Sequence, residues 1–280
     1  MMSALCILDV GVCTAVGLTA ASAAAAVRAG ISRFSEHDRF LDRHGEPAVV
    51  SVPPGIAGLS ITDALSSMAL TALSSPSTVA RREVHTDLAV FLVLPEPRPG
   101  IPPDLADIVS GAVADRLGPA HVILSPALGH AAAGRAFEDA RAFLADAPKR
   151  LAIVLGVDSY DAGATISWLD AGRQLHAAYN AWGFVPGAAA GACLLCHPRH
   201  ALSGRSMVKV EDLALAQEEA PIKSDDVCLG RTLTTLVERL ADDDPFDTLY
   251  CDLNGEVYRS DELGFMLSRS SRRFREPGVF

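Results

Sequence analysis

WGFVPGAAAGACLLCHPRH, residues 182–200, carries two conflicting signals. Its tail spells C-x-x-C-H-x-x-H: Cys193, Cys196, His197 and His200 put four soft donors close together, a pattern that suits tetrahedral zinc. Its head, G-F-x-P-G-A-A-A-G, is a turn followed by small and apolar residues and reads as the start of a strand. Strand side chains alternate between faces, so Cys193 and Cys196 fall on opposite sides, where one ion does not easily gather both. Pro198 also splits the two histidines into an irregular turn. The strand reading makes the cysteines buried small residues, and no metal is expected. A zinc-binding module through the four donors stays as an alternative.

Working outward, short apolar runs alternate with helical patterns. ALCILDV (4–10), DLAVFLVLP (87–95), AHVILSP (120–126) and RLAIVLGVDS (150–159) read as buried strands, joined by 183–196 and by MVKVEDLAL (207–215). FDTLYCDLNG (246–255) reads as a further strand running into a loop. Helices are expected from a Thr19 or Ser22 cap to Arg28, and over 62–74, 104–117, 129–147 and 230–244. Residues 36–60, with Pro47, Pro53 and Pro54, read as loop, and PEPRPGIPP (95–103) as a rigid connection. Strands apolar along their whole length mean a sheet covered on both faces, hence an α/β layered protein. The alternation restarts near residue 207, which divides the chain into residues 1–200 and a shorter second half, 201–280.

The chain has 280 residues, a 49% hydrophobic share and a net charge of −10. That size buries a real core. The negative charge argues against nucleic-acid or anionic-membrane partners, both of which need clustered Lys and Arg. The one basic cluster, SRSSRRFR (268–275), is either a solvated tail or a surface for an acidic partner. Asp9 interrupts the first apolar run, no basic segment precedes it, and no apolar run approaches the ~20 residues of a membrane helix. Six cysteines spread through apolar segments are expected to be free thiols in a reducing, cytoplasmic compartment.

Four segments in order resemble the thiolase superfamily, most closely its β-ketoacyl-acyl-carrier-protein synthase branch. DVGVCTAVGLTAASAAAAVRAGISRF (9–34) resembles that family's opening strand, turn and helix. IVLGVDSY (153–160) resembles its glycine-ended strand, and WGFVPGAAAGACLL (182–195) its G-F-x-x-G-E-G-A-G-x-L-x-L strand. DLNGEVYRSDELGF (252–265) resembles its H-G-T-x-T-x-x-x-D-x-x-E loop. The resemblance implies a thiolase-like layered αβαβα fold with a shortened C-terminal half. It further implies a homodimer, or a heterodimer with another thiolase-fold subunit, with AHVILSP pairing across the two-fold. Acyl carrier protein or acyl-CoA is the implied binding partner, and no cofactor is implied.

The family's chemistry needs a cysteine thiolate at a helix N-terminus and two histidines, or a histidine and an asparagine. In this chain the nucleophile position falls at Gly129, His130 or Ala131, none of them cysteine. Asn254 aligns with the first histidine, Ala188 with the loop glutamate, and the later histidine segment is not found before Phe280. The candidates left are Ser125, His130 and Asn254. His130 either binds a thioester carbonyl and serves Ser125 as base, or bonds a backbone group at a helix start. Ser125 is otherwise a strand-end cap, and Asn254 with Glu256 otherwise builds a turn at Gly255. Asp158 and Ser159 lie at the carboxyl edge, where α/β proteins bind ligands, or form a turn. Trp182 and Phe184 read as core or dimer-contact aromatics. The sequence therefore points to a non-catalytic condensing-enzyme relative acting as scaffold or accessory subunit. The alternative is an acyltransferase, hydrolase or decarboxylase that acts on acyl thioesters without the usual cysteine.

Overall fold

The computed structural model describes residues 5–82, 87–118, 121–127, 131–145, 147–200, 208–221, 224, 226–240 and 244–275. These divide into two compact units. The first holds residues up to 172 together with 186–211; the second holds 173–185 and the segment from 212 on.

The first unit is built on a six-stranded sheet. Its strands are β1 (Leu5–Cys13), β4 (Leu88–Val93), β5 (His121–Leu124), β6 (Leu151–Ser159), β7 (Ala188–Cys196) and β8 (Val208–Val210), and β2 (Ser35–Leu41) and β3 (Pro47–Val50) form a separate hairpin. The order is β5-β4-β6-β7-β1-β8. β5, β4 and β6 run parallel, whereas β7 is antiparallel to both β6 and β1. The helices are α1 (Ala20–Arg28), α2 (Ile61–Ala72), α3 (Ser74–Arg82), α4 (Leu105–Leu117), α5 (Ala132–Leu144) and α6 (Gly163–Ala171).

Two apolar layers explain why the central strands are hydrophobic throughout. Leu151, Ile153, Leu155 and Val157 of β6 face a core shared with α2 and α4, which supply Leu65, Met68, Val109 and Val113. Ala152 and Val154, on the other face, pack against Ala136, Ala140 and Leu144 of α5. Each fully buried Leu or Ile here contributes roughly 1.5–3 kcal/mol. Alanines at every fourth position of α5 let that helix lie close to the sheet. Gly11 does the same on the opposite face: a Cβ there would sit 1.9 Å from the Ala72 carbonyl oxygen.

Thr19 and Ser22 both serve at the start of α1, as a reciprocal capping box. The proline-rich stretch expected as loop is instead the β2–β3 hairpin. Asp42 closes its turn, its Oδ1 accepting from His44 N at 2.8 Å and Glu46 N at 3.0 Å, and Gly45 takes a positive φ of 84°. Pro47 is tolerated because it opens its strand.

The second unit contains α7 (Arg231–Leu240), α8 (Val257–Ser270) and a short 3₁₀ turn, Ser271–Arg273. The strand expected over 246–255 does not form. The segment has no ladder partner among the described residues, only a single bridge from Phe246 to Phe274, and Tyr250 stands 93% exposed. The stretch read as a family loop at 252–265 is mostly α8. None of the described helices is long and apolar enough to cross a membrane.

Candidate functional site

A cleft of about 290 Å³ opens at the carboxyl ends of β4 and β6. Its floor is made of residues with little or no side chain: Gly156 from β6, and Ala189 and Gly191 from β7. A Cβ built at Gly191 meets nothing within 4 Å. The small residues of the opening stretch thus have two roles. Ala188, Ala190 and Ala192 are buried against α2, while Ala189 and Gly191, on the other face, leave space unfilled. β5 leads up to this edge and β6 starts at the other, so the intervening α5 runs back from it and presents its first turn on the same side as the cleft.

The walls carry the polar chemistry. Arg98, from the segment after β4, is 6% exposed at its side chain, while its partner Asp158 is 45% exposed. Arg98 Nη2 donates to Asp158 Oδ1 and, at 2.7 Å, to the Ser159 carbonyl oxygen; Nη1 lies 3.4 Å from Asp158 Oδ2. The guanidinium stacks 4.0 Å from the centroid of the Tyr160 ring. Glu96 completes the lining. Arg98 Nε is buried without a hydrogen-bond partner. Asp158 is therefore an ion-pair partner rather than only a turn residue. The cluster presents a guanidinium, a carboxylate and a phenol. Among its described residues it contains no nucleophile.

The residues singled out in the sequence are scattered. Ser125 follows β5, its N–H donating to the Leu92 carbonyl at 3.2 Å, and its Oγ is buried with no hydrogen-bond partner. His130 and Gly129 lie outside the described residues. Asn254 belongs to the second unit and builds a turn: its Oδ1 accepts from Glu256 N at 3.1 Å, its Nδ2 donates to Glu256 Oε2 at 2.9 Å, and Gly255 has φ 101°. Arg259 holds the same carboxylate at 3.3 Å. Trp182 is 69% exposed and not a core residue. Phe184 pairs with Leu175 through a short backbone bridge.

The four donors expected as a zinc alternative are not brought together. Cys196 is fully buried in the α2 face and Cys193 packs on the α5 face, as strand alternation requires. His197 Nδ1 accepts from Arg199 N at 3.0 Å, and His200 Nδ1 lies 2.6 Å from the Pro148 carbonyl. A carbonyl only accepts, so that imidazole nitrogen carries its hydrogen. Cys193 is the thiol on the cleft's face of the sheet, and burial pushes its pKa up, away from thiolate.

A second cavity, about 370 Å³, lies between the β2–β3 hairpin and residues 56–64. His37 Nε2 approaches Asp161 Oδ1 at 3.6 Å there. Burial raises the Asp161 pKa, against the opposing pull of His37 and Arg39. Sequence reasoning placed Asp158 at the ligand-binding edge but missed Arg98, and it missed the second cavity altogether. The signal in each is an arginine or histidine in a stretch read as loop, whose carboxylate partner lies 60 residues or more away.

No protein-family model matches the chain, and no curated protein matches it. Solved structures do. An oxazolomycin ketosynthase domain from Streptomyces albus JA3453 is 17% identical, with a TM-score of 0.69 over 98% of this chain and 58% of that one. A ketosynthase bound to a hexaketide, in complex with its type II polyketide-synthase acyl carrier protein, is 12% identical, with a TM-score of 0.69 over 96% of this chain and 78% of that one. A ketosynthase in complex with its chain length factor, from Xenorhabdus doucetiae, is 15% identical, with a TM-score of 0.53 over 70% of this chain and 58% of that one. The fold is the thiolase-like fold of ketosynthases. The chain spans about two fifths to three fifths of the length of most of the ketosynthases it matches.

Proposed function

We propose that this chain is a condensing-enzyme homologue that works as a non-catalytic scaffold or accessory subunit. In this reading it pairs with a second thiolase-fold subunit in the cytoplasm, and its cleft holds an acyl thioester of acyl carrier protein or CoA without turning it over. One observation carries the reading: the cleft offers a guanidinium, a carboxylate and a phenol, and no nucleophile among its described residues. Burial pushes the pKa of Cys193, on the cleft's face of β7, up and away from thiolate.

The partner reading draws support from β5, an edge strand whose Ile123 and Leu124 are 40% and 51% exposed. Unpaired edges of this kind recruit strands from other chains. It also draws on the neighbours described as complexes with a chain length factor and with an acyl carrier protein. In the basic C-terminal cluster, two of the four arginines, Arg273 and Arg275, are paired with Glu238 and Asp247.

The test is calorimetry with a panel of acyl-CoA and acyl-pantetheine thioesters, alongside mass-spectrometric detection of decarboxylated, hydrolysed or transferred product. Binding at or below roughly 10 μM, about −7 kcal/mol, with no product is the expected result. A Cβ at Gly191 meets nothing within 4 Å, so Gly191→Val places its side chain in the open cleft and is expected to weaken binding, with the thermal midpoint measured alongside as the control for folding. Turnover that Ser125→Ala removes would replace this reading with the alternative, an acyltransferase, hydrolase or decarboxylase. That alternative rests on the buried, unpartnered Ser125 hydroxyl.

A further inference from the structure

We propose that Glu218, Cys228 and Glu262, in the second unit, form a site for a divalent metal ion of the zinc class. One carboxylate oxygen from each glutamate and the Cys228 Sγ all lie within 4.8 Å of one another. This donor set is separate from the C-x-x-C-H-x-x-H stretch.

Three local features assemble it. Glu218 uses Oε1 to accept from Ala220 N at 3.1 Å, which turns its second oxygen inward. That oxygen, Oε2, is closed to solvent and has no hydrogen-bond partner. Cys228 is more than nine-tenths buried, at 8% exposure. Gly230 then brings the Cys228 segment against α8: it takes a positive φ of 58°, and a Cβ there would lie 2.5 Å from the Glu262 carbonyl oxygen. Only glycine permits that approach, so the thiol is delivered to the helix turn that carries Glu262.

The unpartnered oxygen is what points to a cation. A buried carboxylate oxygen with no donor is a standing penalty, and a second carboxylate and a thiol beside it add more donors of electron pairs but no positive charge. Arg259 is taken by Asp252 and Glu256. Tyr258, at the edge of the site, donates its O–H to the Ala220 carbonyl oxygen at 3.4 Å. Two carboxylate oxygens and a thiolate suit zinc, whose tetrahedral ligands sit about 3.4–3.6 Å apart at ordinary Zn–O and Zn–S lengths. The donors need to close by about an ångström, and water takes the fourth position. On binding, Cys228 releases its thiol proton to solvent.

The unit also has reason to need such a staple. Among its described residues only Leu175, Cys228 and Met266 are buried apolar side chains, and α7 buries none. Small units with thin cores are commonly held by a metal or a disulfide, and no cysteine here is disulfide-bonded.

The full-length protein, stripped with chelator, is titrated with Zn²⁺ against a chromophoric competitor and with Co²⁺ by absorption. The expected result is one equivalent bound per chain and a thiolate-to-cobalt charge-transfer band. Cys228→Ser removes the band, and Glu262→Gln weakens affinity at least about tenfold. Cys193→Ser changes neither. Zn²⁺ also protects Cys228 from alkylation, a readout that needs no variant to fold. A dissociation constant weaker than about 100 μM overturns the proposal, and so does Co²⁺ binding without the thiolate band. The first outcome leaves two carboxylates sharing a proton; the second is an ordinary acidic surface.

Discussion

Replacing Arg98 by Met removes the charge from the cleft wall while keeping most of the aliphatic stem. The guanidinium's contacts set the magnitude. Its bond to the Ser159 carbonyl is charge-assisted and buried, contributing about 1.5–3 kcal/mol. Stacking on Tyr160 adds about 0.5–2 kcal/mol. The Asp158 pair adds no more than about 1 kcal/mol, because that carboxylate is 45% exposed and water screens it. Against these stands the unpartnered, buried Nε, a cost of about 1–3 kcal/mol that methionine relieves. The net expected loss is about 1–3 kcal/mol, read as a lower urea midpoint at unchanged slope. A double-mutant cycle with Asp158→Asn should give a coupling under about 1 kcal/mol. A variant as stable as the parent, or more so, would refute the view that Arg98 organises the cleft. A coupling of several kcal/mol would show that the screening argument is wrong.

Gly11→Ala forces a Cβ to within 1.9 Å of the Ala72 carbonyl oxygen, a backbone atom that cannot rotate away. It is expected to cost about 3 kcal/mol or more, seen as loss of soluble protein or a collapsed urea midpoint, whereas Gly191→Ala should be nearly silent. Asp161 has a raised folded pKa, so the folded state holds its proton at pH values where the unfolded chain has lost it. Its contribution is present at acid pH and lost as pH climbs from the ordinary carboxylate range through the raised value. Asp161→Asn should therefore flatten the stability profile across that window, with a smaller midpoint change between pH 4 and pH 7 than in the parent. Iodoacetamide at neutral pH should label the exposed Cys251 first and leave the fully buried Cys196 for last, with the half-buried Cys193 between them. Peptide mapping over time reads the order.

What was legible in the sequence follows from where the information sits. β4 and β6 are buried on both faces, so their apolar runs announce themselves. The start of α1 is written in two residues three apart. α6 and α8 were not legible; most of α8 lies in the stretch that resembles the family loop at 252–265. The hairpin at 35–50 was masked by its polar first strand and its prolines, since its stability lies in cross-strand pairs and a turn closed by Asp42. The segment 246–255 misled in the other direction: it has strand composition but no partner strand among the described residues. Arg98 sat inside PEPRPGIPP, a stretch whose prolines said only that it was stiff. Its meaning comes from Asp158 and Tyr160, which the sheet brings alongside.

On the proposed reading the cleft holds an acyl thioester rather than transferring it, and the placement of Cys193 bears on that reading. A nucleophilic cysteine needs its thiolate, and thiolate needs a helix N-terminus, a cation or a base beside it. Cys193 stands two residues beyond Gly191 on the same face of β7, the location from which a sulfur approaches the cleft floor. It is instead packed in an apolar layer against α5, where burial works against ionisation. Arg98, the cation of the cleft wall among the described residues, is committed to Asp158, the Ser159 carbonyl and the Tyr160 ring. Gly156, Ala189 and Gly191 keep the floor open. This is a site with an open floor, a pinned guanidinium and a thiol that burial keeps protonated. Among its described residues it has no group to take the acyl chain.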